Sequence, residues 1–589
     1  MDLIGALEAR FGYHGFRPGQ REACDAALAG RDVLAVMPTG AGKSLCYQLP
    51  ALLRDDLAVV VSPLVSLMQD QVEALQRKVP GAAAVINGQQ EAEANRAALA
   101  RALEGALRLL YVAPERFSSP GFVDRLGRAR VGLFVVDEAH CLSQWGHDFR
   151  PDYLRLAAAA DALGARSTFA ATATATAAVA EDIIRRLSLR DPARVTTGFD
   201  RPNLRYVVAP CASRHDKRRR LLAALAEPDA LPAIVYAGTR AATGALAAAI
   251  AARLGRPTAT YHAGLDRSTR AAVQRDFACG RVEVVVATNA FGMGIDKADV
   301  RTVCHATVPA SLEAYYQEAG RAGRDGAPAR CLLLAERRDK GLHAFFIERA
   351  QVDERVLERL GAALELRAGG EEYDLRADEA AALAGCEAEQ VPALVGHLAR
   401  AGVVEASPSA PGRVRGRVTG RLDPRARAAC RASAAEARRA RWREYRSMWA
   451  FVEGRECRRA AILRHFGDRS PPVPRGPCCD VCDPPPMLQD RRSPPPGTLA
   501  SAPSDDSAID AAIIEVVHAA RPAVGRTRTV EILRGGRSKV IRRHSYDGLR
   551  LYGTLAHLDG GEVLARVDAL VAAGRLRSTG GRFPTLCAT

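Results

Sequence analysis

A glycine-rich segment, residues 37–44 (MPTGAGKS), follows an apolar run at residues 33–36. A loop of this composition between a strand and a helix exposes backbone N–H groups to phosphate oxygens, and the helix dipole adds positive potential. Lys43 is therefore expected to reach the β- and γ-phosphates of a nucleotide such as ATP, and Ser44 to hold Mg²⁺. Met37 stands where such loops usually begin with glycine. The other predicted contacts in this loop come from Thr39, Gly40 and Gly42.

Two adjacent carboxylates follow another apolar run, residues 134–136. A carboxylate at the carboxyl end of a strand can bind Mg²⁺, the role expected of Asp137, and its neighbour Glu138 can act as a base toward the water that attacks the γ-phosphate. The alternative is an ordinary capped strand end. That alternative does not explain why the pair follows a phosphate loop.

Two arginines, Arg321 and Arg324, lie in the segment 317–326 (QEAGRAGRDG). Their spacing of three predicts one helical face, and guanidinium groups stabilise the charge on a transferring phosphoryl group. If they belong to a second domain, they complete the site when the domains close, which couples hydrolysis to motion. Surface arginines in a loop are the alternative.

The elements that must position these groups are apolar runs alternating with helical stretches. The runs are residues 57–61, 109–112, 133–136, 167–170, 234–236 and 282–287. Continuously apolar strands between helices indicate parallel sheets covered on both faces. We therefore expect two α/β domains in tandem, joined near residues 200–203.

Bulk properties limit the class of protein. The chain has 589 residues, a net charge of +16 and 48% hydrophobic residues, which predicts roughly three to five folded units. The positive charge favours nucleic acid over a membrane surface as partner, because no basic amphipathic helix with a strong apolar face stands out. No apolar run approaches the roughly 18 residues of a membrane span, and the N-terminus does not read as a secretion signal.

These motifs together resemble the RecQ family of superfamily-two DNA helicases. Residues 11–20 (FGYHGFRPGQ) resemble its adenine-reading motif, which implies that Tyr13 stacks on the base and that Arg17 and Gln20 contact it. Gln317 is a further nucleotide contact implied by the resemblance. The other segments similar to the family's motifs are 62–71, 113–116, 172–175, 199–204, 261–265 and 287–296.

The most specific likeness is residues 141–151 (CLSQWGHDFRP), which resemble the family's aromatic-rich loop that senses single-stranded DNA. Trp145 and Phe149 offer π-faces to bases, and Arg150 can neutralise a phosphate or contact ATP. Core packing is the alternative for Trp145. The full set of predicted DNA-binding residues is Ser66, Gln144, Trp145, Phe149, Arg150 and Arg542.

Four clustered cysteines, Cys457, Cys478, Cys479 and Cys482, fit a tetrahedral Zn²⁺ site. The family carries a zinc subdomain after its motor, but its usual tail separates each cysteine by two residues, whereas Cys478 and Cys479 are adjacent. His465 is a candidate substitute ligand. An unmetallated helix–loop is the alternative, and a disulfide is less favoured in a reducing cytosol.

The resemblance and the patterning together imply an α/β fold with two tandem RecA-like parallel-sheet domains, followed by a helical zinc-binding subdomain and a winged-helix domain. Within the insertion, residues 378–383, 390–401 and 407–420 suggest helix, helix and wing, with a plain helical connector as the alternative. The expected domains are 1–203 and 204–345 (RecA-like), 346–440 (insertion), 441–486 (zinc), 487–507 (Pro/Ser-rich linker) and 508–589 (winged helix).

The expected activity is ATP- and Mg²⁺-dependent 3′-to-5′ translocation on single-stranded DNA and unwinding of branched or tailed duplexes, in DNA repair, recombination and replication. We expect a monomer in the cytoplasm, associated with the nucleoid, with single-stranded DNA-binding protein and repair proteins as partners. The alternatives are an RNA helicase with the same ATP-hydrolysing domains and a DNA-binding scaffold whose motor is inactive.

Overall fold

A computed structural model describes residues 2–143, 150–292, 297–349, 352–367, 372–407, 412–485, 506–536, 538–555, 558, 560–579 and 584–588. Residues 1–488 form one compact unit and residues 489–589 a second. Within the described residues, no helix is both long enough and apolar enough to cross a bilayer.

The first sheet has seven parallel strands in the order β3-β4-β2-β5-β6-β1-β7. Its strands are β1 (Val33–Val36), β2 (Leu57–Val61), β3 (Ala83–Ile86), β4 (Leu109–Val112), β5 (Val131–Val136), β6 (Ser167–Thr172) and β7 (Ala193–Thr196). Its helices are α1 (Leu3–Phe11), α2 (Gln20–Leu28), α3 (Leu45–Leu53), α4 (Val65–Lys78), α5 (Ala92–Leu103), α6 (Pro120–Leu126), α7 (Leu156–Ala162) and α8 (Ala177–Arg186). Strands β1, β2 and β5 are buried along their whole length, because helices cover both faces.

The second sheet has six parallel strands in the order β10-β11-β9-β12-β13-β8. Its strands are β8 (Leu204–Cys211), β9 (Ala233–Tyr236), β10 (Thr258–Tyr261), β11 (Val284–Ala287), β12 (Thr302–His305) and β13 (Ala329–Glu336). Its helices are α9 (Arg214–Ala226), α10 (Arg240–Leu254), α11 (Arg267–Ala278), α12 (Leu312–Ala319) and α13 (Arg337–Arg349). The chain passes between the two sheets at residues 197–203.

A small inserted unit follows, with its own core around Leu360, Leu394 and Leu398. Its elements are α14 (Glu354–Arg367), β14 (Glu372–Arg376), α15 (Ala377–Ala384), α16 (Val391–Arg400), β15 (Val404–Ser407) and β16 (Arg413–Val418). The three strands pair antiparallel in the order β14-β16-β15. This succession of helix, strand, two helices and two strands is that of a winged helix, with α15 and α16 at the positions predicted for two helices.

The long helix α17 (Pro424–Glu453) and the shorter α18 (Arg458–His465) carry the chain back to the second sheet. Asp423 caps α17, because its carboxylate accepts from the backbone N–H of Ala426 at 2.7 Å. Arg458 at the start of α18 is buried and forms a bidentate ion pair with Asp480, its Nε donating to Oδ1 at 3.1 Å and its Nη2 to Oδ2 at 3.0 Å. This pair fixes the cysteine-bearing tail on α18.

Among its described residues, the second unit has four α-helices and a short antiparallel pair of strands around a core that includes Ile513, Leu533 and Val567. Its elements are α19 (Asp506–Ala519), α20 (Arg526–Leu533), α21 (Lys539–Arg543), α22 (Gly560–Ala572), β17 (Leu576–Ser578) and β18 (Leu586–Ala588). Strands β17 and β18 pair antiparallel, and residues 580–583 between them lie outside the described residues.

Candidate nucleotide site and zinc centre

The phosphate loop leaves β1 and enters α3. Gly40 and Gly42 have φ of 86° and 81°, a left-handed backbone that favours glycine. The Lys43 Nζ donates to the Met37 carbonyl at 3.2 Å, so the ammonium lies inside the curve of the loop. The Met37 side chain is fully buried, with its Sδ 3.8 Å from the Sγ of Cys46. The backbone φ of Met37 is not positive, so the loop does not require the glycine that usually stands at this first position.

The acidic pair follows β5. Asp137 is buried, and burial together with the charge of Glu138 raises the pKa of its carboxyl to about 7. The φ of Glu138 is 48°, a left-handed conformation that is strained for a side chain of this size. Burial lowers the pKa of Lys43, while the negative charges of Glu138 and Asp137 oppose that shift. The lysine and the two carboxylates therefore share one electrostatic environment.

Two contacts tie the acidic pair to neighbouring segments. The His140 Nδ1 lies 3.0 Å from the Thr172 Oγ1 and 3.4 Å from a carboxylate oxygen of Glu138. Thr172 ends β6, in the segment 172–175 that the sequence singled out. The Tyr153 hydroxyl, fully buried, donates to the backbone carbonyl of Asp137 at 3.1 Å. The acidic box is thus contacted on two sides, through the His140 side chain and through the Asp137 backbone.

The adenine-motif residues lie beside the phosphate loop. The Gln20 amide donates to the carbonyls of Ala41 and Gly42 at 2.9 and 3.2 Å, and the Arg17 guanidinium donates to the Gly40 carbonyl at 2.5 Å. Tyr13 is 52% exposed, and the Lys78 Nζ lies 4.8 Å from its ring centroid. In this structure Arg17 and Gln20 therefore brace the loop, while the Tyr13 ring is open to a base.

The prediction that Arg321 and Arg324 share a helical face is wrong. Helix α12 ends at Ala319, and both arginines lie in the turns that follow. The physical reason is Gly323, which lies between the two arginines and has a φ of 53°, outside the helical range. A side chain could not stand there, because a Cβ would lie only 2.4 Å from the Asn203 Nδ2.

The turns nevertheless bring the arginines to the phosphate loop. A side chain at Gly40 would meet the Cγ of Arg324 at 3.5 Å. Both arginines and Gln317 line a cavity of about 700 Å³ whose opposite wall holds Lys43 and Ser44. Residues from both sheets therefore enclose one pocket.

Arg201, which the sequence did not mark as a site residue, bridges the two domains. Its guanidinium donates to the Thr39 carbonyl of the phosphate loop at 2.8 Å. It also donates to three carbonyls of the arginine turns, those of Gly320, Ala322 and Gly323, at 3.0, 3.0 and 3.1 Å. One side chain thus contacts segments of both domains beside the pocket.

The four predicted zinc ligands come together. The sulfurs of Cys457, Cys478, Cys479 and Cys482 all lie within 4.8 Å of one another, with the Cys457 and Cys478 sulfurs 3.5 Å apart. Tetrahedral zinc with Zn–S bonds of about 2.3 Å separates its sulfurs by about 3.8 Å. Four thiols at this spacing fit the ion, and the adjacent pair contributes both of its sulfurs to the cluster.

His465 is not part of this cluster, so the suggestion of a substitute ligand is wrong. Its Nε2 lies 2.7 Å from a carboxylate oxygen of Glu313 in α12, and its Nδ1 lies 3.2 Å from the Ser447 hydroxyl. The cysteine tail instead pairs with β8: Tyr206 N–H donates to the Cys478 carbonyl at 3.2 Å, and Asp480 N–H donates to the Tyr206 carbonyl at 3.1 Å. The cluster is therefore attached to the edge of the second sheet.

Comparisons with known families agree with this organisation. A DEAD/DEAH box helicase model matches residues 17–183, a helicase conserved C-terminal domain model 216–326, a RecQ zinc-binding model 423–483 and an RQC domain model 506–589. The ATP-dependent DNA helicase RecQ of Bacillus subtilis is 31% identical over 582 residues, which is 98% of this chain and 80% of that protein. The chain belongs to the RecQ family.

Other RecQ relatives match mainly the motor. Those of Haemophilus influenzae and Pasteurella multocida, both named ATP-dependent DNA helicase RecQ, are 41% identical over 357 and 369 residues. These alignments cover 60% and 62% of this chain but 57% of each relative, so the chain spans little more than half the length of these two. A DNA-bound structure of the DUF1998 helicase MrfA aligns with a TM-score of 0.50 at 19% identity, over 72% of this chain and 63% of that one, a likeness of fold alone.

The residues predicted to bind DNA in this RecQ family member are described only in part. Gln144, Trp145 and Phe149 lie outside the described residues. Ser66 lies in α4 and Arg542 in α21, but their side chains are not among those described. The Arg150 guanidinium donates to the Pro63 carbonyl at 3.1 Å, which joins the end of the aromatic-rich loop to the segment 62–71.

Proposed function

We propose that this chain is an ATP-dependent DNA helicase that couples hydrolysis to 3′-to-5′ translocation on single-stranded DNA and to duplex unwinding. The observation that carries the proposal is the pocket shared by the two sheets. One wall holds Lys43 and the acidic pair, and the other holds Arg321 and Arg324. A site divided between two domains is sensitive to their separation, which is what a motor requires.

The chemistry follows from the residues of this pocket. Mg²⁺, when bound, neutralises phosphate charge, and Ser44 and Asp137 are the residues that would hold it. Glu138, which lines the pocket together with Lys43, accepts the proton of the attacking water. Lys43, Arg321 and Arg324 then stabilise the negative charge that develops on the transferring group.

Several features favour DNA as the track. The family models include the RecQ zinc-binding and RQC modules, and the relatives are named DNA helicases. The net charge of +16 suits a polyanion. We propose single-stranded and branched or tailed DNA as substrates, and repair, recombination and replication as the setting, with single-stranded DNA-binding protein among the partners.

The zinc cluster is proposed to be structural, because four thiolates leave no open coordination position. One chain supplies both walls of the nucleotide pocket, which supports a monomer as the active form. A cytoplasmic, nucleoid-associated location follows from the proposed substrate.

The ATPase test compares hydrolysis without nucleic acid, with single-stranded DNA and with single-stranded RNA. We expect DNA to stimulate hydrolysis, and Lys43→Ala to abolish it. Lys340→Ala is the matched control, because Lys340 pairs with Glu453 outside the pocket, and it should leave hydrolysis unchanged. Equal stimulation by RNA would favour an RNA helicase, and a flat ATPase in the wild-type protein would favour an inactive motor.

A further inference from the structure

The inserted winged-helix unit lies between the family-model matches that end at residue 326 and begin at residue 423. In DNA-binding proteins of this topology, the helix equivalent to α16 reads the major groove. Here α16 packs against α17 of the same chain. The buried His397 has its Nδ1 2.8 Å from the Ser433 hydroxyl of α17, and the Cys430 thiol donates to the His397 carbonyl at 3.5 Å. The unit is therefore built to contact protein at this helix.

The outer strand of its sheet contacts the first motor domain. Glu405 in β15 accepts a hydrogen bond from the Arg155 guanidinium at 2.9 Å, with Glu405 58% exposed and Arg155 26% exposed. The inserted unit is thus joined through the chain to the second domain and through Arg155 to the first.

Arg155 ends the short 3-10 helix Pro151–Arg155. Two residues earlier in the same turn, the buried Tyr153 donates its hydroxyl to the Asp137 carbonyl at 3.1 Å. A shift of this turn moves the hydroxyl that holds the acidic box. Because a displacement of about 1 Å at reacting groups can lower a rate by about a hundredfold, even a weak external contact can influence hydrolysis through this path.

We propose that Glu405 of the inserted unit is a positioning residue for ATP hydrolysis. It holds Arg155, and the turn that carries Arg155 places Tyr153 against the backbone of Asp137. The proposal rests on the ATPase activity proposed above. It assigns the insertion a role in setting the turnover of the motor.

The test measures kcat and KM for ATP at saturating single-stranded DNA in the full chain. Glu405→Arg should lower kcat by about two- to fivefold, the range that an exposed ion pair can influence, with KM unchanged. The double variant Arg155→Glu/Glu405→Arg, which restores the pair with reversed charges, should recover kcat. The matched control is Glu372→Arg, because Glu372 pairs with Arg415 on the same sheet at 3.4 Å and should leave kcat unchanged.

Tyr153→Phe supplies an independent variant that removes one hydroxyl. It should lower kcat by about fivefold, and Glu405→Arg added to it should have little further effect, because both changes act through one turn. If the wild-type protein shows no ATPase activity, the proposed function itself is wrong. An active wild-type protein whose Glu405→Arg variant matches Glu372→Arg in kcat, or whose effects with Tyr153→Phe simply add, would overturn the positioning role.

Discussion

Replacing Arg201 should separate the two walls of the nucleotide pocket without unfolding either sheet. Its guanidinium makes four hydrogen bonds to backbone carbonyls, one on the phosphate loop and three on the arginine turns. A hydrogen bond from a charged donor contributes about 1.5–3 kcal/mol. Because the four share one side chain, their contributions do not add, and we expect a loss of about 3 kcal/mol in transition-state stabilisation. That loss corresponds to about a hundredfold decrease in kcat.

The assay is DNA-stimulated ATPase at saturating ATP for Arg201→Ala and Arg201→Lys, with binding of a non-hydrolysable ATP analogue measured in parallel. Lysine keeps the charge but cannot reach both walls, so it should rescue kcat only slightly. Arg205→Ala is the matched control, since Arg205 donates to the Asp483 carbonyl outside the pocket at 2.6 Å. A folded Arg201→Ala protein that keeps kcat within about threefold of wild type would refute the bridging role.

Two further predictions concern the zinc cluster and a partly buried acid, Glu444. Cys479→Ser should reduce bound zinc, measured by atomic absorption, and lower the melting temperature, because its sulfur is fully buried in the cluster; full zinc retention would contradict the four-thiolate site. Burial and the neighbouring Glu313 raise the pKa of Glu444 to about 7. The folded protein therefore keeps a proton that the unfolded chain loses above its ordinary value of 4.5, and stability falls as pH rises from about 4.5 to about 7. Glu444→Gln should therefore increase the free energy of unfolding at pH 8 by at most about 3 kcal/mol, seen as a higher melting temperature than wild type, but should not do so at pH 4.5. An equal shift in melting temperature at both pH values would contradict this prediction.

Local patterns in the sequence located the elements and the phosphate-binding groups. The apolar strands and the loop at residues 37–44 depend on neighbours in the chain, so periodicity and composition predict them. The four clustered cysteines were also recognisable, because three of the four lie within the five residues 478–482 and zinc requires few ligand types. The RecQ resemblance, the fold class and zinc binding are confirmed by the family models and relatives.

The errors and omissions arise from contacts distant in sequence. The helical face predicted for Arg321 and Arg324 is absent because Gly323 between them has a positive φ, in a turn that lies against Asn203. His465 looked like a metal ligand because of its neighbours, but its partner Glu313 is 152 positions away. The bridging role of Arg201 could not be predicted, because its hydrogen-bond acceptors are backbone carbonyls, which leave no signature in the sequence.

The central claim is that ATP hydrolysis at the shared pocket drives strand separation on DNA. The most direct measurement is unwinding of a DNA duplex that carries a 3′ single-stranded tail, with ATP and Mg²⁺, by the full chain and by Lys43→Ala. A duplex with a 5′ tail tests polarity in the same assay. We predict that the wild-type protein separates the 3′-tailed duplex and that Lys43→Ala does not. Unwinding by Lys43→Ala at the wild-type rate, or none by a wild-type protein that hydrolyses ATP, would contradict the claim.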